Sequence, residues 1–275
     1  MIAVGRSVSS GSPPLITLDA LAAAAATAVD NLVVFDEVDS THAVTLRLIE
    51  QMDVEGFGLR PTAILAGRQT RGAGRGRRSW ASPRGGIYLS WLVSGLAAEQ
   101  IAGLPMIAAA AIHGAVAELG IGGAELKWPN DLLVAGRKLA GIIVHARHGE
   151  TTWATIGLGV NVTVSPPLNA QDRPATSLSD LLPDRDLAGS AVGLAAAYLS
   201  RLGDGLRSPA DAIAHWRSAL VHRPGDHLQV RLGSGEALQG SYVGVTAEGH
   251  LRLDTGREVR TLTGGDVVEG PADPA

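Results

Sequence analysis

The chain has 275 residues, 45% of them hydrophobic and 18% charged, which is the balance of a folded protein and not of a disordered one. Its formal net charge of −4 argues against a general nucleic-acid-binding protein, which would usually be basic. The absence of cysteine excludes disulfides, zinc–thiolate sites and cysteine nucleophiles, and it fits a cytoplasmic location. We find neither a secretory signal nor a stretch that approaches about 18 apolar residues, so no membrane association is predicted.

The N-terminal third is predicted to contain two apolar strands around a helix. Residues 1–30 are rich in Ala and Ser and are predicted as an N-terminal tail with one possible short helix. Strands are predicted at 32–35 and 63–66, and Asp39 or Ser40 can cap the helix between them.

The rest of the chain predicts a mixed α+β domain followed by a small β unit. The pair Ala135–Gly136 is a plausible hairpin turn between two of the strands. Short strands alternating with Gly-containing turns after residue 223 are typical of a small β-barrel. The domains are therefore placed at 31–222 and 223–271. The other predicted elements are strands at 87–93, 125–128, 131–134, 139–145 and 153–164, and helices at 97–119, 187–205 and 209–220.

Residues 67–86, here called the Arg/Gly loop, contain six arginines and no acidic residue. Glycines at 72, 74 and 76 allow sharp turns that present backbone N–H groups inward, and arginine adds permanently charged donors. Such a loop suits a ligand that carries a phosphate or a carboxylate. A solvated surface loop and a single-stranded nucleic-acid site are the alternatives, although Trp80 is the only aromatic residue available for base stacking.

A second basic cluster is formed by residues 127–131, Lys-Trp-Pro-Asn-Asp, and by Arg137 and Lys138 beyond the hairpin turn. Pairing across the hairpin would bring the two lysine-bearing segments together. The resulting positive pocket can neutralise a carboxylate that attacks a phosphate. The simpler alternative is a hairpin with surface Lys and Arg.

These two segments, 127–131 and 137–142, resemble the signature of the biotin protein ligases. Other blocks resemble the family's motifs in the same order, and together they cover about residues 32–270. They are Asp39-Ser40-Thr41, Gln69-Thr70 with Gly72, Gly74, Arg75, Arg78 and Trp80, Ser82-Pro83, residues 85–89, and residues 156–161.

The resemblance implies an α+β enzyme with the mixed-sheet catalytic domain of the biotin/lipoate ligase type and a C-terminal SH3-like β-barrel. It implies ATP-dependent ligation of biotin to a lysine of a biotin carboxyl carrier protein domain, through biotinyl-5′-AMP. Mg²⁺ would arrive with ATP, without a dedicated protein metal site. The expected partner is the carrier domain of an acyl-CoA carboxylase. About 30 residues precede the catalytic domain, too few for the winged-helix module of some relatives, so no DNA binding is expected. The choice between monomer and weak dimer stays open.

The resemblance also implies roles for individual residues. Lys138 and Arg75 would be catalytic, stabilising charge at the biotin carboxylate and the α-phosphate. Biotin would be bound by Ser40, Thr41, Gln69, Gly72, Arg75, Trp80, Lys138 and Gly141. The nucleotide would be bound by Arg75, Arg78, Lys127, Asn130, Asp131 and Asn161.

Two positions depart from the family pattern. Ala73 stands where an arginine is usual, unless the match begins at Gly74, and His42 stands where Asn is common. His42 is interpreted as a local substitution without mechanistic meaning. A lipoate or octanoate ligase of the same fold is the alternative enzyme, and His145 with His148 is interpreted as two ordinary strand-end histidines and not as a metal site.

Overall fold

The computed structural model describes residues 4–5, 17–55, 60–147, 152–165 and 174–268. The helices are α1 (Leu18–Ala26), α2 (Thr41–Glu55), α3 (Ala98–Glu118), α4 (Leu178–Leu181), α5 (Leu187–Arg207) and α6 (Pro209–Ser218). The strands are β1 (Val4–Gly5), β2 (Asn31–Phe35), β3 (Thr62–Ala66), β4 (Ile87–Ser94), β5 (Ala124–Lys127), β6 (Asp131–Val134), β7 (Arg137–Arg147), β8 (Trp153–Val160), β9 (His227–Arg231), β10 (Ala237–Val245), β11 (Leu251–Asp254), β12 (Val259–Leu262) and β13 (Asp266–Val268).

The larger sheet has eight strands in the order β1-β2-β3-β4-β8-β7-β6-β5. The first three strands are parallel and all later pairs are antiparallel, so the sheet is mixed, as predicted. The predicted hairpin joins β6 to β7, and Ala135 and Gly136 both have positive φ, as a type I′ turn requires. Apart from a single 3₁₀ turn at Arg75–Arg77, the Arg/Gly loop is irregular, as its composition predicts.

The two faces of this sheet differ because side chains alternate along each strand. On one face, apolar residues of β4, β7 and β8 pack with α3 and α5 in the main core. On the other face, α2 places Ile49 against Leu92 and Trp153 in a small separate cluster. The part of this second face beyond α2 remains open, and it forms the floor of the cleft described below.

Helix α3 corrects one prediction from composition. Its segment Gln100–Glu118 has the length and hydropathy of a membrane span, although the sequence was interpreted as containing nothing comparable. About 72% of this segment is buried inside the protein, where small residues such as Ala108 and Ala109 pack against the sheet. Core burial and not membrane insertion therefore accounts for its apolar composition.

Helix α1 lies within the segment that was predicted as an N-terminal tail. Leu21 and Ala25 are buried in the main core, and Thr17 caps the helix by accepting a hydrogen bond from the backbone N–H of Ala20. Helix α1 is thus part of the packed fold.

The C-terminal strands form a five-stranded antiparallel sheet in the order β12-β11-β10-β9-β13. The predicted domain boundary at residues 222/223 falls between α6 and β9. The unit is anchored to the larger domain by polar contacts, among them Trp128 Nε1, which donates to the carbonyl oxygen of Gly249 at 2.9 Å. Strand β13 was not predicted, and it carries a residue that reaches the cleft.

Candidate functional site

Glycines on the open face of the larger sheet create a cleft of about 960 Å³. Gly141 on β7 lies opposite Gly159 on β8, and Gly157 lies two residues further along β8, on the same face. At each position an added Cβ would meet another side chain at 2.9 Å or less. The missing side chains therefore let Trp80 and Ile143 lie close against the sheet at these three positions.

The indole of Trp80 lies across two of these glycines. A Cβ on Gly159 would come within 2.5 Å of Trp80 Nε1, and one on Gly141 within 2.9 Å of the same ring. Lys138 Nζ lies 5.1 Å from the ring centroid, within the range of a cation–π contact. Trp80 Nε1 is buried without a hydrogen-bond partner, which is common where a ligand completes a site.

We expect Gly159→Ala to displace the Trp80 indole, because the new methyl group would overlap the ring. Affinity for the ligand of this cleft should fall about tenfold or more, since the wall it packs against moves. Titration calorimetry with tryptophan fluorescence measures both effects. Gly193→Ala is the matched control, because Gly193 is exposed on α5 and an added Cβ there meets nothing within 4 Å. Equal affinities in the two variants would contradict this prediction.

A chain of uncharged hydrogen-bonding groups lines one part of the cleft. Gln69 Oε1 accepts from the backbone N–H of Thr41 at 2.8 Å and from Thr41 Oγ1 at 3.2 Å, and Gln69 Nε2 donates to Ser82 Oγ at 2.8 Å. Thr41 Oγ1 also lies 2.9 Å from Ser90 Oγ. Ser40 and Thr41 are each 3% exposed. These bonds fix the groups in place and leave one N–H of the Gln69 amide for a ligand.

Asp39 holds the backbone segment that leads into Ser40 and Thr41. Its carboxylate accepts from both terminal nitrogens of Arg47, at 2.7 and 2.9 Å, and from the backbone N–H of Ser40. The Arg47 hydrogen bonds lower the pKa of Asp39 to about 2. The Asp-Ser-Thr segment is therefore positioned at the start of α2, with its hydroxyl groups at the cleft.

Positive charge lines another part of the cleft, as the sequence around the hairpin turn predicts. Lys138 Nζ forms an ion pair with Asp131 Oδ1 at 2.6 Å, with side-chain exposures of 26% and 20%. A register shift between Leu132 and Leu133 aligns Asp131 with Gly141, while Lys138 pairs with Leu133 near the turn. The ammonium group of Lys138 thus lies beside the Trp80 ring and beside the glycine floor, which is the part of the sheet formed by Gly141, Gly157 and Gly159.

The Arg/Gly loop contacts the C-terminal sheet through Arg75 and Arg78. Arg75 Nη1 donates to Asn130 Oδ1 and to the carbonyl oxygen of Gly265, both at 3.3 Å, and burial lowers the Arg75 pKa. Arg78 Nη2 lies 2.8 Å from Asp266 Oδ1. Asp266 on β13 was missed by the sequence analysis, because nothing in a strand of three residues distinguishes it. Arg231 of β9 also lines the cleft and was missed, because nothing in its local sequence distinguishes it from the other arginines.

The remaining predicted residues fall into two groups. Lys127, Asn130 and Asn161 line the cleft, and Lys127 is 8% exposed. Asn161 Nδ2 donates to the carbonyl oxygens of Lys138 and Thr176, at 3.3 and 3.1 Å, so its amide also supports the start of β7. Gly72 does not line the cleft. A Cβ there would lie 2.3 Å from the Trp80 carbonyl oxygen, so this glycine permits the close approach of two loop segments.

His42 lies on the floor of the cleft beneath the hydroxyl chain. Its side chain is buried, and its Nδ1 has no hydrogen-bond partner. Burial, aided by the nearby charge of His145, lowers its pKa to about 4. His145 is exposed on β7, with ring centroids 6.1 Å apart, while His148 lies outside the described residues.

This pKa predicts a pH dependence of stability. The unfolded state binds a proton at His42 near pH 6.5 and the folded state only near pH 4, so stability is full above pH 6.5 and falls as the pH drops towards 4. The loss attributable to His42 is on the order of 3 kcal/mol. Urea unfolding of wild type and His42→Asn across this range should give a shallower pH dependence in the variant. The same pH dependence of the free energy of unfolding in both proteins would contradict the assignment of this effect to His42.

Comparison with known proteins shows the family of this chain. The model of the Biotin/lipoate A/B protein ligase family matches residues 35–161. The biotin–[acetyl-CoA-carboxylase] ligase of Mycobacterium tuberculosis is 32% identical over an alignment of 250 positions, which covers 84% of this chain and 86% of that protein. The chain therefore belongs to the Biotin/lipoate A/B protein ligase family and, within it, to the biotin protein ligases.

Solved structures show the same fold. The biotin protein ligase from Aquifex aeolicus in complex with biotin and ATP superposes with a TM-score of 0.63 at 24% identity, covering 86% of this chain and 97% of that one. The biotin protein ligase from Leishmania major in complex with biotinyl-5-AMP gives a TM-score of 0.58 at 25% identity, covering 88% and 99%. These similarities confirm the predicted fold class, and the Mycobacterium tuberculosis relative confirms the predicted membership of the biotin protein ligases.

Proposed function

We propose that this enzyme joins biotin to a lysine of a biotin carboxyl carrier protein domain, through biotinyl-5′-AMP formed from ATP. The observation that carries the proposal is a single cleft that combines a fixed, uncharged hydrogen-bonding chain with a cationic group. Biotin has the matching chemistry, because a neutral polar ureido ring lies at one end of the molecule and a carboxylate at the other.

The uncharged part of the cleft suits the ureido ring. Thr41 and Gln69 supply donors and acceptors that are already ordered by their own hydrogen bonds, so little entropy is lost on binding. The hydroxyl oxygen of Ser40 accepts from the backbone N–H of Ala43 at 3.5 Å. A lipoyl chain carries no ureido group and would leave these buried groups unpaired, which costs affinity. This argument favours biotin over lipoate or octanoate, the alternative substrates for this fold.

The cationic part of the cleft suits the activation step. Lys138 would hold the biotin carboxylate near the α-phosphate and stabilise the charge that develops there. A carboxylate oxygen attacks the α-phosphorus, the bond to the β-phosphate oxygen breaks, and pyrophosphate leaves. Arg75 and Arg78 would bind phosphate oxygens, with Asn130, Asp131, Lys127 and Asn161 around the nucleotide. Trp80 and the glycine floor would shield the mixed anhydride from water.

The transfer step needs no nucleophile from the enzyme. The amine of the carrier lysine attacks the acyl carbon of the adenylate, the bond to AMP breaks, and the amine loses its proton. Mg²⁺ would enter with ATP and screen the phosphate charge. Both acidic residues that line the cleft within the described chain, Asp131 and Asp266, are already ion-paired, which favours a metal held by phosphate oxygens and water.

Pyrophosphate release from ATP is the first test of this proposal, with biotin and lipoate assayed in parallel. Release with biotin, followed by labelling of a carrier-domain lysine, is the expected result. Release with lipoate alone would show that biotin is not the substrate, while the proposed activation chemistry would stand. Release with neither would overturn the adenylation step.

A further inference from the structure

The C-terminal sheet holds one cation of the cleft in place. Arg75 Nη1 donates to the carbonyl oxygen of Gly265 at 3.3 Å and lies 3.7 Å from Asp266 Oδ1, both at the start of β13. It also donates to Asn130 Oδ1 at 3.3 Å. N–H···O hydrogen bonds are usually about 2.7–3.2 Å long, so these contacts are weak ones. The direction of the Arg75 guanidinium therefore depends on where the C-terminal sheet lies.

The same sheet is docked onto the larger domain by the turn between β10 and β11. Arg217 Nη2 donates to the carbonyl oxygens of Thr246 and Ala247, at 3.1 and 3.2 Å. Gly249 has a φ of +79°, and a Cβ there would lie 2.4 Å from Met106 Sδ. The turn thus fits closely against α3 and α6, with no room for a larger residue at Gly249.

Trp128 makes the contact between this turn and the cleft. The residue is 3% exposed and lines the cleft, and its Nε1 donates to the carbonyl oxygen of Gly249 at 2.9 Å. Lys127 and Asn130 of the same segment also line the cleft, and Asn130 accepts from Arg75. A closed path of contacts therefore runs from Trp128 through the C-terminal sheet to Arg75, and from Arg75 back to the segment that contains Trp128.

The C-terminal sheet connects the two places because its strands are hydrogen-bonded side by side. Strand β10 ends at the docked turn and pairs with β9, and β9 pairs with β13, which begins directly after Gly265. Val230, Leu251 and Leu253 of this sheet are fully buried in the main core. Close-packed interiors have low compressibility and transmit displacement, so a shift of the turn moves Gly265 relative to Asn130.

We propose that Trp128 is a positioning residue for adenylate formation, whose indole N–H holds the C-terminal sheet where Gly265 can orient Arg75. The proposal rests on the proposed function, in which Arg75 binds phosphate oxygens of ATP. Trp128 acts through the sheet and not by contact with the nucleotide. Its loss should weaken nucleotide binding and spare biotin, whose ureido ring would be bound by Thr41 and Gln69 at another part of the cleft.

The test measures two dissociation constants by calorimetry, one for biotin alone and one for α,β-methylene ATP with biotin at saturation. Trp128→Phe keeps an aromatic ring and removes the N–H. We expect the nucleotide Kd to rise about threefold to tenfold, the effect of one neutral hydrogen bond, and the biotin Kd to stay within about twofold. Trp91→Phe is the matched control and should change neither constant, because Trp91 is buried in the main core and its Nε1 has no hydrogen-bond partner.

Two further variants separate positioning from direct contact. Gly249→Ala displaces the turn without changing a residue of the cleft, and it should weaken nucleotide binding by a similar factor. It decides the question if Trp128→Phe fails to fold. In an Arg75→Gln background, Trp128→Phe should cause less than about a twofold further loss, because the side chain that it positions is absent.

Two results would overturn the proposal. One is an equal loss of affinity for biotin and nucleotide in Trp128→Phe, which a general loosening of the fold would cause. The other is an undiminished further loss in the Arg75→Gln background. Absence of pyrophosphate release by wild type would instead overturn the proposed function, while the nucleotide affinities of the variants would still decide whether Trp128 positions Arg75.

Discussion

Lys138→Ala should reduce the rate of adenylate formation by about 10²–10³-fold, the effect of removing one preorganised charge-stabilising donor. Lys138 Nζ lies 2.6 Å from Asp131 Oδ1 and 5.1 Å from the Trp80 ring centroid, so the cation is already positioned before substrates arrive. Its loss also leaves the Asp131 carboxylate in the cleft without its cation, which would repel both the biotin carboxylate and the phosphates. Single-turnover pyrophosphate release measures this step without contribution from transfer.

The neighbouring Arg137 provides the matched control for this variant. Arg137→Ala removes one positive charge at the adjacent position of β7, where the exposed side chain donates to the carbonyl oxygen of Ala175 and does not line the cleft. We expect near-normal adenylate formation in this control. A Lys138→Ala variant with equally normal activity would refute the catalytic role of Lys138.

Gln69→Met should raise the KM for biotin about 100-fold, which corresponds to about 3 kcal/mol of lost binding. Methionine approximates the shape of glutamine but makes none of the three hydrogen bonds that Gln69 forms with Thr41 and Ser82. The buried hydroxyl chain then loses its order, and the free energy of unfolding should fall by about 2 kcal/mol. Steady-state kinetics and urea unfolding measure the two effects separately.

The same substitution at an exposed glutamine controls for the loss of an amide. Gln239 lies on β10 of the C-terminal sheet and does not line the cleft, so Gln239→Met should leave the KM for biotin unchanged. An unchanged KM in Gln69→Met as well would show that the amide makes no contact with biotin.

Local signals were sufficient to predict much of this fold. The hairpin at Ala135–Gly136 follows from turn chemistry, and the irregular path of residues 67–86 follows from their glycine and arginine content. The mixed sheet agrees with the resemblance to the biotin protein ligases, which the comparisons confirm. These features depend on residues close together in the chain or on motifs in a recognisable order. The individual roles of the site residues stay predictions.

Other features arise from contacts between distant segments, which no local pattern encodes. Asp266 meets Arg78 across 188 positions of the chain, and β13 is too short to produce a signal of its own. His42 looked like an ordinary residue in the first turn of a helix. Only the packing of α2 against β3, β4 and β8 buries it beside Gly157 and leaves its Nδ1 unpaired. Burial and hydrogen bonding determine what such a side chain does, and both depend on which strands become neighbours in the folded sheet.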